Sequence, residues 1–329
     1  MIPKIEPYYL PRKQISDKIT TFENNIEITE IESANICGLI QNIKPHKILE
    51  IGVHSGITTA ILMKCIDELC LNSSCEIISV DKNEIIDNTR NNYTGFLINE
   101  AKLFLNNPVS QKLILKDTIP ELFENIGTDF DLVIINTKNT FPDVQLAFLS
   151  AYPHLSNNAY VIIHGINPFH SDGGTYQYAA NLLMNTIVAE KNIPESSDNH
   201  INISNLGILL LNNDTSKYIS DCFRTLFLPW QHVPSTNELS GFHDLFCLSY
   251  EKKLVNIFDV SINQNLNYSS NVLAKQSNKT SNRICLSYKI GLAITFVPRQ
   301  IRAFFRHKKK PYDFEQYRLI LRKKARKSA

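Results

Sequence analysis

Between residues 45 and 165, short apolar segments alternate with longer segments of helical periodicity, and this alternation restricts the fold more than any other feature. Strands that alternate with helices form right-handed βαβ units, which build a parallel sheet covered on both faces. Runs of Ile, Val and Leu without polar alternation are typical of strands buried on both sides. Five runs fit this description: KILEI (47–51), CEIISV (75–80), KLILK (112–116), DLVIIN (131–136) and AYVIIH (159–164).

The flanking segments extend this pattern to a doubly wound, mainly parallel α/β sheet. Helical periodicity predicts helices over 31–43, 58–69, 119–124, 143–152 and 175–190. Two later runs, NLGILLL (205–211) and HDLFCLSY (243–250), are further strand candidates and would bring the sheet to seven strands. Trp230 lies between these two runs, in a segment predicted to be a helix followed by a loop. We expect it in the core, with a position over a ligand pocket as the alternative.

The C-terminal part has a different composition. Residues 261–282 are rich in Asn and Ser and poor in large apolar residues, which is typical of a flexible linker. We therefore divide the chain into a domain over 1–255, a linker over 256–283 and a tail over 284–329.

The tail is strongly basic. From Arg283 onward there are fourteen Lys and Arg against two acids, a charge of +12, so a chain of net charge +2 leaves −10 for the remainder. Apolar residues recur every three or four positions from Leu286 to Phe304, which predicts an amphipathic helix. Such a helix suits an anionic membrane surface. Packing against the body or a partner is the alternative, and nucleic acid is not expected because the tail has no recognisable binding module.

Other features narrow the cellular setting. The sequence has no apolar run of the roughly 20 residues that a membrane span needs and no apolar core of the signal-peptide type at its start. The seven cysteines are odd in number, and no two have CxxC spacing. Free thiols in a reducing compartment are therefore expected. We predict a cytoplasmic protein that associates through its tail with the inner face of the membrane.

The residues that end the predicted strands indicate a nucleotide crevice. In an open parallel sheet, ligands bind beyond the carboxyl ends of the strands, where the strand order reverses. The first strand ends in EIGVHSG (50–56), in which Gly52 and Gly56 permit a tight turn close to a ligand. Asp81 ends the second strand, where a carboxylate can accept hydrogen bonds from ribose hydroxyls. Asp117 follows the third strand and could accept from an adenine amino group.

Taken together, these segments resemble the class I S-adenosylmethionine-dependent methyltransferases, and among them the macrocin O-methyltransferase-like group. The E-x-G-x-x-x-G motif of that family is matched over 50–56, its second-strand acid by Asp81, its fourth-strand block by FDLVIINTKNTF (130–141) and its fifth strand by IIHG (162–165). The likeness covers roughly 29–170, and weakly extends to about 250. It implies a seven-stranded Rossmann-like fold and S-adenosylmethionine as cofactor, held by Glu50, Gly52, His54, Gly56, Asp81, Asp117 and Asn136.

The sequence departs from the family's motifs at several positions, two of which carry acids that hold a divalent ion in metal-dependent members. Asn136 and Gly165 stand where acids are expected, Asn139 stands for a histidine and Phe141 for a tyrosine. Neutral oxygens bind Mg²⁺ weakly, so we expect no divalent metal.

Without a metal, a side chain must take the proton of the acceptor hydroxyl. His164, at the end of the fifth strand, is the first candidate for a catalytic base, and His170 and Asp172 in the next loop are the second. The alternative for His164 is a hydrogen-bonded histidine at a sheet end. Capping or solvated positions are expected for Asp143, His154, His243 and Asp244.

These expectations combine into a predicted activity, which is methyl transfer to a sugar hydroxyl of a bacterial surface polysaccharide or its lipid-linked precursor. The acceptor would be a glycan or another small hydroxylated molecule. The tail segment SYKIGLA (287–293) loosely resembles tails of bacterial surface-polysaccharide enzymes. A non-catalytic scaffold with a methyltransferase fold and a nucleic-acid methyltransferase are the alternatives.

Overall fold

A computed structural model describes residues 1–19, 27–82, 84–87, 92–116, 118–123, 126–167, 178–194 and 204–279. The basic tail lies outside the described residues. The strands are β1 (Lys47–Ile51), β2 (Glu76–Asp81), β3 (Ile85–Asp87), β4 (Asn92–Tyr93), β5 (Ser110–Leu115), β6 (Phe130–Ile135), β7 (Leu155–His164), β8 (Glu190–Asn192) and β9 (Leu206–Leu210).

The described helices lie before, between and after these strands, and a 3₁₀ turn (Tyr152–His154) precedes β7. They are α1 (Leu10–Ser16), α2 (Glu30–Ile43), α3 (Ile57–Glu68), α4 (Phe96–Lys102), α5 (Ile119–Leu122), α6 (Asp143–Ala151), α7 (Ala179–Thr186), α8 (Asn213–Lys217), α9 (Ile219–Thr225), α10 (Thr236–Ser249) and α11 (Lys252–Lys279). The chain forms two compact units, Met1–Asn267 and Tyr268–Ala329, and the described part of the second is helical.

The main sheet confirms the predicted doubly wound α/β fold. Seven strands lie in the order β5-β2-β1-β6-β7-β9-β8, and the five strands predicted between residues 45 and 165 are its five parallel members. At one edge β9 runs antiparallel to both β7 and β8. The sheet is thus mixed and Rossmann-like, with its order reversing between β1 and β6.

Side chains of each central strand alternate between two hydrophobic cores. In β6, Val133 and Ile135 belong to the core that also holds α6, whereas Leu132 and Ile134 belong to the core that holds α3. All four are at most 1% exposed. Because the chain leaves β1 toward α3 and β6 toward α6, the segments after these two neighbouring strands diverge to opposite faces, and a crevice opens between them.

The prediction of a strand over 243–250 is wrong. This segment lies in α10, where Phe242 and Phe246 are buried one helical turn apart while Leu248 is 87% exposed. That spacing is helical, and the capping box formed by Ser235 and Glu238 starts the helix seven residues before the apolar run. The seventh strand is instead Glu190–Asn192, at the end of a segment predicted as helix, since α7 stops at Thr186.

The prediction of a flexible linker over 256–283 is also wrong for its described residues, which belong to α11. Val255, Phe258 and Ile262 recur at helical spacing and are at most 4% exposed. A single apolar stripe on one face is enough to hold a helix against a core, so the abundant Asn and Ser elsewhere did not indicate a linker. Asn265 is buried too, where it accepts from the main-chain N–H of Trp230 (2.9 Å) and donates to the Leu226 carbonyl (3.1 Å). Trp230 is 7% exposed, which confirms its expected place in the core.

Among the described helices, none has the length and apolar character needed to cross a bilayer.

At Gly52 the surrounding backbone leaves no room for a side chain. Its φ is +92°, and a Cβ there would collide with the main-chain carbonyl of Asn136. Gly127 offers a matched control, because its φ is +84° but a Cβ would meet nothing within 4 Å.

We therefore expect Gly127→Ala to cost about 1–2 kcal/mol of unfolding free energy, from backbone conformation alone. Gly52→Ala should cost about 1–3 kcal/mol more, because the β1–α3 turn and β6 must move apart. Urea unfolding of both variants measures the difference. Equal losses would contradict the close approach of these two segments.

Candidate functional site

A cavity of about 750 Å³ opens at the carboxyl ends of β1, β2 and β6, where the strand order reverses. Its size lies within the range of small-molecule and cofactor pockets. Its wall includes four of the residues predicted to bind the cofactor, Gly52, His54, Asp81 and Asn136. The remaining lining residues are Glu27, Ile51, Val80, Lys82, Ile119, Leu122, Thr137, Lys138, Thr140, Asp143, Gln231 and His232.

Asp81 fixes the shape of the turn after β1. One of its carboxylate oxygens accepts from the main-chain N–H groups of Val53 (2.8 Å) and His54 (3.1 Å). Gly52 donates its own N–H to the carbonyl of Val80 (2.9 Å) in β2. The carboxylate thus lines the cavity and ties the turn to the neighbouring strand, the position from which an acid can reach ribose hydroxyls.

His54 closes one side of the cavity together with Glu27, a residue that sequence reasoning missed. Its backbone has a φ of +49°, and its Nδ1 donates to Oε1 of Glu27 at 2.6 Å. This hydrogen bond raises the pKa of His54 although partial burial opposes the shift. Glu27 gave no signal in the sequence, because it precedes α2 and belongs to no strand end.

Glu50 and Gly56 do not line the cavity. Glu50 is fully buried, with one carboxylate oxygen accepting from the hydroxyls of Thr59 (2.5 Å) and Ser79 (2.8 Å). Burial raises the pKa of Glu50 to about 7, although the two hydroxyl hydrogen bonds lower it. Gly56 caps α3 with a φ of +86°, and a Cβ there would press on Ile98 and Gly95. Both residues support the turn between β1 and α3 without lining the cavity. Their contact with the cofactor remains a prediction.

Asn136 and Gly165, which stand where acids were expected, are hydrogen-bonded to other residues at the ends of β6 and β7. Nδ1 of His164 donates to Oδ1 of Asn136 (2.8 Å), and Nδ2 of Asn139 donates to the carbonyl of Gly165 (2.6 Å). Asn139 also accepts from the N–H of Ala180 (2.7 Å). The ends of β6 and β7 are thereby joined by amide and imidazole hydrogen bonds, and without a carboxylate they are a poor donor set for a hard cation. Within the ranges that the structure describes, no group of three His, Cys, Asp or Glu side chains could hold a metal ion.

His164, the first candidate for the base, contacts Asn136 on one side and α2 on the other. Its Nε2 lies 3.6 Å from Oε1 of Glu32 and 3.4 Å from Nδ2 of Asn205. Burial alone would raise the pKa of Glu32, but hydrogen bonding and the charge of His164, together with hydrogen bonds from Thr29, lower it to about 2. The His164 side chain is 17% exposed and is not part of the cavity wall. This is the alternative geometry, a hydrogen-bonded histidine at a sheet end, and a role as base remains a prediction.

The other candidates for the base, His170 and Asp172, and the predicted adenine contact Asp117 lie outside the described residues.

Sequence reasoning missed the pairing of Asp143 with His232. The Nε2 atom of His232 lies 3.1 Å from Oδ1 of Asp143, and Oγ1 of Thr140 donates to the other carboxylate oxygen at 2.7 Å. All three residues line the cavity. Asp143 is the first residue of α6, whose N-cap is Pro142 and which has no side-chain cap hydrogen bond, and its partner His232 is far along the chain. No spacing in the sequence indicates such a pair, because a tertiary contact brings it together.

The buried carboxyl of Glu50 predicts a pH effect on stability. A folded pKa of about 7 against an unfolded value of 4.5 means that the folded state binds the proton more tightly. The stabilisation of the folded state that this proton gives is complete below pH 4.5 and is lost as the pH rises through 7. We expect Glu50→Gln to gain stability relative to the unmodified protein between pH 5 and pH 8, by up to about 3 kcal/mol. Urea unfolding at both pH values measures this, and two parallel pH dependences would contradict it.

Comparison with known proteins matches residues 49–166 to the family model described as "Methyltransferase domain". Comparison with curated proteins gives no match. Among solved structures, the chain is similar to the O-methyltransferase TomG of Streptomyces achromogenes, involved in tomaymycin synthesis and solved with S-adenosylmethionine. The two are 13% identical with a TM-score of 0.44, over 65% of this chain and 92% of that one.

Two further solved structures give similar values. An O-methyltransferase of Bacillus cereus solved with S-adenosylhomocysteine is 14% identical, with a TM-score of 0.43 over 64% of this chain and 93% of that one. The S-adenosylhomocysteine-bound methyltransferase PaMTH1 of Podospora anserina is 15% identical, with a TM-score of 0.42 over 61% of this chain and 86% of that one. The matched segment, 49–166, contains the carboxyl ends of β1, β2 and β6, where the cavity opens. Over residues 49–166 the chain therefore matches a methyltransferase domain.

Proposed function

We propose that this protein transfers the methyl group of S-adenosylmethionine to a hydroxyl of a sugar, in a bacterial surface polysaccharide or in its lipid-linked precursor. The observation that carries the proposal is the cavity at the strand-order reversal, whose wall includes the glycine turn and Asp81 of the segment that matches a methyltransferase domain. When bound, S-adenosylmethionine supplies an activated methyl group on a sulfonium centre.

The residues present fit that cofactor. Gly52 brings main chain to the cavity wall without a side chain, and Asp81 offers a carboxylate that is anchored by two main-chain N–H groups. A hydrogen-bonded acid at the end of the second strand suits a ribose, and the adjacent glycine turn suits close approach of a ligand. Gly52, His54, Asp81 and Asn136 are the described residues that would hold the cofactor.

A hydroxylated acceptor is supported by the polar part of the wall. Thr140 and Gln231 bring side chains that both donate and accept hydrogen bonds, and Lys82 and Lys138 bring cationic donors. A site lined by such groups can fix the orientation of a sugar, since orientation depends on a few well-placed polar contacts. The surface-glycan assignment rests in addition on the tail segment 287–293, with its loose resemblance to tails of polysaccharide enzymes. The basic tail would hold the enzyme on the anionic inner leaflet, near a lipid-linked acceptor.

Cofactor binding can be tested through Asp81. Hydrogen bonds to charged groups contribute about 1.5–3 kcal/mol, so Asp81→Asn should weaken binding of S-adenosylmethionine about 10- to 100-fold in calorimetry.

Asp131 provides a matched control at the opposite end of the sheet. Its carboxylate accepts from the main-chain N–H groups of His46 (2.7 Å) and Lys47 (3.2 Å), so it has the same type of bond but does not line the cavity. Asp131→Asn should leave cofactor affinity within about threefold. Unchanged affinity in Asp81→Asn would refute the cofactor assignment.

The acceptor can be tested in the source organism by comparing surface glycans of the parent strain and a deletion strain. We expect each methylated repeat to lose the mass of one methylene group on deletion, and to regain it when the gene is restored. A deletion strain with unchanged glycan mass would refute the glycan assignment. Cofactor binding without transfer to any hydroxylated acceptor would instead favour the non-catalytic scaffold.

A further inference from the structure

The cavity wall contains a histidine whose ring is paired with a carboxylate. Asp143 is 12% exposed at its side chain and His232 is 41% exposed, so the carboxylate lies deeper than the imidazole. With Nε2 of His232 facing Asp143 at 3.1 Å, the other ring nitrogen, Nδ1, has no hydrogen-bond partner within the described part of the chain. An imidazole arranged in this way can accept a proton on one nitrogen while a carboxylate stabilises the resulting charge at the other.

The protein positions this pair by tying two distant segments together at Phe141. The main-chain N–H of Phe141 donates to Oε1 of Gln231 (2.7 Å), 90 residues away. In return the Phe141 carbonyl accepts from the N–H groups of Gln231 (2.9 Å) and His232 (3.4 Å). Asp143 lies two residues after Phe141 and is held by the hydroxyl of Thr140 (2.7 Å). Both members of the pair are therefore fixed relative to the same short stretch of main chain.

The segment that carries His232 is also anchored from behind. Trp230 is buried, its Nε1 donates to the Leu226 carbonyl (2.9 Å), and its main-chain N–H donates to Asn265 of α11 (2.9 Å). A side chain on such a segment is pre-organised, and a positioned base needs this because proton transfer depends on geometry first.

We propose that His232 is the general base of the methyl transfer and that Asp143 is its positioning residue. This inference rests on the proposed function and deepens it. The acceptor hydroxyl gives its proton to Nδ1 of His232 as its oxygen forms the new C–O bond; the C–S bond breaks and sulfur keeps the electron pair as a neutral thioether. Asp143 stabilises the imidazolium, which returns the proton to water after the product leaves.

His164 is less suited to this task in its observed surroundings. Its Nδ1 is bonded to Asn136, and its Nε2 faces Glu32 and Asn205 on α2 and the segment before β9. Each ring nitrogen thus already faces a protein group. The side chain that the sequence favoured joins β7 to α2, whereas His232 borders the space in which a substrate would lie.

A first experiment needs no acceptor. Diethyl pyrocarbonate modifies neutral imidazoles, and the modified sites can be mapped by mass spectrometry on the full chain. We expect saturating S-adenosylhomocysteine to slow modification of His232 at least threefold. The rate at His46, which is bonded to Ser74 at the other end of the sheet, should stay unchanged. An unchanged rate at His232 would overturn the assignment, because the residue would not face the cofactor cavity.

The second experiment measures turnover with radiolabelled S-adenosylmethionine and glycan extracted from the deletion strain. We expect His232→Ala to lower kcat about 10²- to 10⁴-fold, the range of general base catalysis, while affinity for S-adenosylhomocysteine stays within about threefold. Added imidazole should restore part of the turnover of His232→Ala, an effect that a purely structural ion pair would not give. Asp143→Asn should lower kcat more than it raises KM, and His46→Gln should match the unmodified protein.

The outcomes separate this inference from the proposed function. If the unmodified protein binds no cofactor or methylates no glycan, the proposed function fails and the base assignment fails with it. If the unmodified protein is active and His232→Ala retains turnover within about threefold, or loses it without imidazole rescue, only the base assignment is overturned. Loss of turnover in His164→Gln with normal turnover in His232→Ala would return the role to His164.

Discussion

The hydrogen bonds from Val53 and His54 to Asp81 hold together the part of the molecule on which the site depends. They connect the turn after β1 to the end of β2, so the two strands present their carboxyl ends at one level. Gly52 fits between them and β6 only because it has no side chain. Through these hydrogen bonds the Asp81 carboxylate sets the shape of the cavity wall. It also lines the cavity itself, where it could bind a ribose.

Around this turn, polarity is divided between buried and accessible groups. Glu50 lies behind the turn with its charge suppressed by burial, as the rise of its pKa to about 7 indicates. The ends of β6 and β7 are joined by two hydrogen bonds, one between His164 and Asn136 and one between Asn139 and Gly165. Asn136 and Gly165, which stand where the sequence comparison led us to expect acids, therefore take part in hydrogen bonds in the structure.

The sequence predicted what depends on local periodicity. Five buried strands, the reversal of strand order and the glycine turn follow from apolar runs and from the residues that end them. Prediction failed where a tertiary contact decides. HDLFCLSY contains a short apolar run that is typical of a strand, yet Phe242 and Phe246 bury one face of a helix. The Asn- and Ser-rich segment after 256 is helical because a few apolar residues suffice to hold it. The pairing of Asp143 with His232 depends on main-chain bonds at Phe141, which no pattern of residue types records.

The hydrogen bond between Asn265 and the main-chain N–H of Trp230 connects α11 to the segment that enters the cavity wall. One neutral amide in the middle of α11 fixes the backbone immediately before the two residues that complete the cavity wall. A chain that ended ahead of this amide would retain every strand of the sheet and the whole glycine turn. It would lack the hydrogen bond that holds the backbone just before Gln231 and His232, so this part of the cavity wall depends on α11 as well as on the sheet.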